Sequence, residues 1–123
     1  MITNEQIKAL QQRVETLGRC INIEEKRAEV QQKQEKTLAA DFWNDPKEAG
    51  KFLKELAGVK FWVNGYDSVA AGAADLDVLY DFAKESVSDS AEDVQTDEEK
   101  ELEEAYKSVE AQVGDLELRN MLG

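Results

Sequence analysis

A chain of 123 residues with 41% hydrophobic and 34% charged side chains and a single proline is long enough for one modest core, and reads as helix rather than sheet or disorder. Its net charge of −12 is uneven: residues 1–44 carry seven basic and seven acidic groups, residues 45–84 five and seven, and residues 85–123 three and thirteen. Phosphate backbones are met by clustered Lys and Arg, so the last third repels nucleic acid, any RNA contact falls to the first half, and a basic protein suits the acidic end.

Ile7, Leu10, Val14, Leu17 and Ile21 alternate spacings of 3 and 4, one stripe of a helix with a coiled-coil-like repeat. Asn22 with Glu25 has the form of an N-cap and its partner, so a second helix can begin there, either split from the first or continuous with it. From Ile23 to Ala40 the apolar character is weaker, with Val30 and Leu38 as anchors of a narrow buried face.

The stretch "DFWNDPKEAG", Asp41 to Gly50, then stops that helix and starts another. Asp45 supplies an N-cap acceptor, Pro46 fits N1 and Glu48 places an acid at N3. Proline also biases Asp45 away from helical angles. Phe42 and Trp43 fall in the connection, where large aromatics are expected to plug the open end of a bundle. The alternative is a docking role for an exposed Trp43.

Beyond Pro46 the stripe runs Phe52, Leu56, Val59, Val63, Tyr66, Ala70 and Ala73, then Leu76, Leu79 or Tyr80, and Ala83. Unbroken, this helix has about 38 residues and a length of roughly 57 Å at 1.5 Å per residue. Gly58, Phe61, Gly65, Ser68 and Gly72 share another face at the same alternating spacing. Three helix-interior glycines each cost about 1 kcal/mol against alanine, which suggests a groove where another backbone approaches. That face is a docking surface, or else a tolerated solvent face or a third-helix contact within the bundle. Residues 86–95 read as an acidic loop, and Thr96 with Glu99 as a capping box opening a last helix striped by Leu102, Tyr106, Val109, Val113 and Leu116. The expected fold is all-α: an antiparallel bundle of three long helices with coiled-coil-like packing, the first either whole or split in two. Leu118, Met121 and Leu122 make the end more apolar than a free terminus, so either a further part of a longer chain packs there or the end caps the bundle itself.

Little in the sequence supports catalysis. There is no histidine, no adjacent glycine pair and no phosphate-cradling loop. The acidic stretch around residues 89–99 lacks the central glycine of a calcium loop and reads as a solvated turn. Cys20 stands alone, which excludes an intrachain disulfide or a cysteine zinc site; it is expected to be buried in a reducing, cytoplasmic setting. No apolar run of about 18 residues exists to span a membrane, and the start lacks the blocks of a signal peptide. Neither metal, cofactor nor catalytic residues are expected.

Two segments, "INIEEKRAEVQQKQEKTLAADFWNDPKEA" and "ELEEAYKSVEAQVGDLELRNMLG", with the long helix and acidic loop between them, resemble the N-terminal domain of the bacterial class I peptide chain release factors. The most specific element is Phe42-Trp43-Asn44-Asp45-Pro46, whose tryptophan points to the factor 2 branch. The resemblance implies that residues 1–123 are the helical front domain of a longer factor acting at UGA and UAA stop codons. Peptidyl-tRNA hydrolysis and codon reading would belong to a Gly-Gly-Gln loop and a Ser-Pro-Phe tripeptide in later domains, neither of which occurs here. The implied partners are the ribosome near its stalk base, both proteins and rRNA, the class II release factor, and the remaining domains of the same chain. A stand-alone coiled-coil adaptor or holdase-like protein is the alternative reading.

Overall fold

The computed structural model describes residues 1–88 and 94–123, and among these the chain is all-α, with no strand. Four helices occur, α1 (Asn4–Cys20), α2 (Ile23–Lys36), α3 (Pro46–Ser88) and α4 (Asp97–Leu122), with a single 3-10 turn at Phe42–Asn44. The expected split of the first helix is present, and α3 is one unbroken helix of 43 residues. It continues to Ser88, three residues into the segment expected to be loop; residues 89–93, the centre of that acidic loop and of the calcium reading, lie outside the described residues.

The chain divides into two compact units. The first comprises residues 1–17 and 67–123. Here the stripes of α1 and α4 do what their spacing requires: Ile7, Leu10, Val14 and Leu17 are buried, as are Leu102, Val109, Val113 and Leu116, with Tyr106 half-buried. From α3 come Val69, Ala73, Leu76 and Ala83. Val69 takes the place expected for Ala70, which is only half-buried. Phe52 and Ala70 lie 18 residues apart, five full turns, so they share one side of the helix and both are half-buried, whereas Val69, Ala73, Leu76 and Ala83 form the buried side of α3 in this unit.

Side-chain capping fixes the helix ends of this unit. The Glu99 amide donates to Thr96 Oγ1 at 3.1 Å while the Thr96 amide donates to Glu99 Oε1 at 3.1 Å, the reciprocal box expected from the sequence. Thr3 and Gln6 make the same exchange at the start of α1, at 2.8 and 3.1 Å. That signal, Thr-x-x-Gln, is legible in the sequence but weaker for lying so near the terminus. Ser86 and Thr96 hydroxyls lie 2.8 Å apart, and Ser68 Oγ donates to Gln112 Oε1 at 3.4 Å, so α3 and α4 run antiparallel. Arg13 clamps Glu117 with Nε–Oε2 at 3.3 Å and Nη2–Oε1 at 2.5 Å. This bond holds the Arg13 guanidinium above its ordinary pKa, although a pair this exposed adds no more than about 1 kcal/mol. The half-buried Tyr106 phenol is pushed up by loss of solvent and then by nearby Glu110.

The second unit comprises residues 18–66. Asn22 is not the N-cap its spacing with Glu25 suggested: its φ of 53° is left-handed and its side chain makes no cap bond. Instead its amide donates to the Arg19 carbonyl at 3.2 Å, closing the end of α1. Asparagine tolerates this conformation, which ends many helices. Cys20, expected in the core, is exposed. It is the last residue of α1 and lies off the stripe that carries Leu17 and Ile21 inward. α2 stops at Lys36 rather than near Ala40, as Thr37 donates back to the Lys33 and Gln34 carbonyls. Leu38 therefore lies in the turn, 83% exposed, and is no anchor. Gly18 faces Tyr66 so closely that a Cβ there would sit 2.7 Å from the phenol oxygen.

Leu76 and Leu102 both have 0% exposure. Leu76→Ala and Leu102→Ala should each destabilise the fold by about 2–5 kcal/mol in urea unfolding followed by circular dichroism. Thr96→Ala should cost about 0.5–2 kcal/mol. A loss under about 1 kcal/mol at both leucines would mean that the seam is not tightly packed.

Candidate functional site

The turn between α2 and α3 carries most of the unusual chemistry of residues 18–66. Asp45 is extended at φ −115° and ψ 96°, as the following proline demands, and its Oδ1 accepts from the Glu48 amide at 3.3 Å. The N-cap role expected for Asp45 is thus present. Phe42, Trp43 and Asn44 form the 3-10 turn leading into it. The Phe42 ring meets Trp43 edge-on at 4.8 Å and Phe52 at 5.4 Å. Lys33 Nζ sits 4.8 Å from the Phe52 centroid and 3.6 Å from Glu55, so a cation closes the other side of the aromatic cluster.

Trp43 is not the plug expected of it, and Phe42 is only partly covered. Phe42 is half-buried between Trp43 and Phe52, whereas Trp43 is 57% exposed. The reason is the length of the connection: α2 ends four residues earlier than expected, so the 3-10 turn needs only one aromatic inside. Trp43 instead lines a shallow groove with Leu38, Leu53, Leu56, Gln34 and Lys60. Leu38 and Trp43 are both exposed, and the groove they line carries one lysine, Lys60, and one carboxylate, Glu35.

The residues of the glycine face of α3 lie in unlike surroundings. Gly58 is exposed with open space where its Cβ would be, Phe61 is 44% exposed and stacked edge-on against Trp62 at 5.7 Å, and Gly65 is half-buried. In the other unit, a Cβ on Gly72 would lie 2.8 Å from Val109 Cγ2. The close approach that its spacing implied is therefore with α4. Among the described residues no three His, Cys, Asp or Glu side chains gather where a metal could sit, and no helix is long and apolar enough to cross a membrane.

Two curated proteins align with almost all of the chain. Peptide chain release factor 2 of Streptomyces avermitilis is 24% identical over 119 residues, 97% of this chain and 30% of that protein. Its counterpart in an Exiguobacterium species is 26% identical over 121 residues, 98% of this chain and 31% of that protein. This chain is similar to peptide chain release factor 2. It spans under a third of the length of these release factor 2 proteins. No family model matches the chain, and no solved structure does.

The different surroundings of Gly58 and Gly72 predict opposite outcomes. Gly58→Ala should stabilise the fold by up to about 1 kcal/mol, because it only removes a helix-breaking residue from open surface. Gly72→Ala should be destabilising, since the β-branched Val109 cannot rotate away cheaply. Adding Val109→Ala should make the Gly72→Ala step less costly in a double-mutant cycle of thermal unfolding; equal costs in both backgrounds would refute the contact.

Proposed function

We propose that this chain is the helical N-terminal domain of a translation termination factor, a ribosome-binding module without a catalytic site of its own. The observation that carries the reading is the similarity to release factor 2 proteins over 97% and 98% of the chain, with only 30% and 31% of those proteins covered. A front domain of a longer factor accounts for that imbalance. It also accounts for Leu118, Met121 and Leu122, which are 53%, 80% or more exposed at the end of α4 and would pack against the following domains. The full factor would read UGA and UAA and release the peptide through a Gly-Gly-Gln loop in a later domain, acting in the cytoplasm.

Within that reading, the turn at Phe42–Pro46 is the part suited to the ribosome. Residues 18–66 carry nine basic and eight acidic groups, while the rest of the chain carries six and nineteen. Exposed Trp43 offers a stacking ring on a groove that also carries Lys60 and Glu35, a combination that suits an RNA or ribosomal-protein surface near the stalk base. The acidic remainder suits protein contacts, among them the class II release factor.

Two measurements test this. Reading the natural frame past Gly123 should reveal a Gly-Gly-Gln loop, and the full protein should release peptide from ribosomes stalled at UGA and UAA but not at UAG. A stop codon directly after Gly123 would favour a stand-alone coiled-coil adaptor instead. In the full factor, Trp43→Ala should weaken ribosome binding about tenfold with helicity unchanged; unaltered binding would remove the turn from the contact.

A further inference from the structure

The outward face of α3 in the first unit carries a second apolar stripe that the core does not use. Val78 and Phe82 are 54% and 56% exposed, and exposed Ala71 and Ala74 precede them on the same side of the helix. Their spacing of 3, 4 and 4 places these residues on one face. Leu76 and Ala83, each with 0% exposure, mark the opposite side. The stripe is therefore no extension of the seam. It is a separate strip, and helix propensity does not require a phenylalanine there.

Charge says what could cover it. From Phe61 to Ser88 the helix carries five carboxylates and one lysine, Lys84. Asp75 flanks the stripe on one edge, and Asp81 and Glu85 on the other; all three are exposed, and among the described residues none is held in an ion pair. An apolar strip bordered on both edges by unneutralised carboxylates repels nucleic acid and anionic lipid. It attracts a cationic partner that can bury aliphatic side chains along its length.

We propose that the Ala71–Val78–Phe82 face of α3 is a docking surface for a basic amphipathic helix. Such a helix lays apolar residues at i, i+3 or i+4, and i+7 against Val78 and Phe82 while its Lys and Arg side chains reach Asp75, Asp81 and Glu85. The apolar contact supplies affinity, and the carboxylates supply rate and orientation. This surface stands on the chain's own geometry and does not depend on the release-factor reading.

The probe is a fluorescently labelled amphipathic peptide of leucine and lysine at helical spacing. Its controls are a scrambled peptide of identical composition and a leucine–glutamate counterpart. Fluorescence anisotropy should show saturable binding of the amphipathic peptide to the chain, about tenfold tighter than the scrambled one. Phe82→Ser and Val78→Ser lie on exposed surface and should leave the unfolding midpoint unchanged while weakening binding at least tenfold. Asp75→Asn with Asp81→Asn should weaken it and flatten its dependence on salt. Amide chemical-shift changes should centre on residues 71–85. Equal affinity for the scrambled peptide, unchanged affinity in Phe82→Ser, or shift changes centred elsewhere would each overturn the proposal. Sedimentation showing a dimer that Phe82→Ser dissolves would overturn it too, with a second copy of the chain as occupant.

Discussion

The packing of Leu76 and Leu102 with the α1 stripe is the constraint on which the first unit depends. Isolated helices gain little from their own hydrogen bonds, because nucleation is costly and each residue added brings a small return. α3 with 43 residues and α4 with 26 residues must therefore be held by burial along their sides. Ile7, Leu10, Leu76, Leu102 and Val113 have 0 to 1% exposure, and no buried polar group interrupts them among the described residues. The polar contacts of the unit, such as Arg13 with Glu117, lie at its margins, where they orient helices more than they stabilise them.

The second unit is organised differently. Its buried set is short, with Ile21, Ile23, Ala49 and Leu56 as members, and much of its definition comes from chain reversals. Asn22 ends α1 by accepting a left-handed conformation, and Asp45 with Pro46 starts α3 by refusing a helical one. Between these two corners, α2 is mostly charged, and Lys33 is held by Glu29, Glu55 and the Phe52 ring. A unit with so small a core can expose a tryptophan at its turn at little cost, because Trp43 was never needed inside.

The two units also differ in what they can bind. The turn of the second offers an indole, a leucine and a lysine on a nearly neutral background. The first offers an apolar strip between carboxylates on a strongly negative one. Surfaces of such different character favour different partners.

The sequence by itself determined the all-α class, the seams of α1 and α4, the caps at Asp45 and Thr96, and the start of a second helix at Ile23. These are local properties: apolar spacing and capping chemistry act within a few residues, so they can be read without a third dimension. Even the turn at Phe42–Pro46 was legible as a turn. Tertiary structure alone decided which aromatic of that turn is inside, that Val69 rather than Ala70 enters the core, and that Gly72 faces Val109 while Gly58 faces solvent. It also decided that Val78 and Phe82 face outward. Each of these depends on packing between elements distant in sequence, which apolar spacing within one helix does not specify.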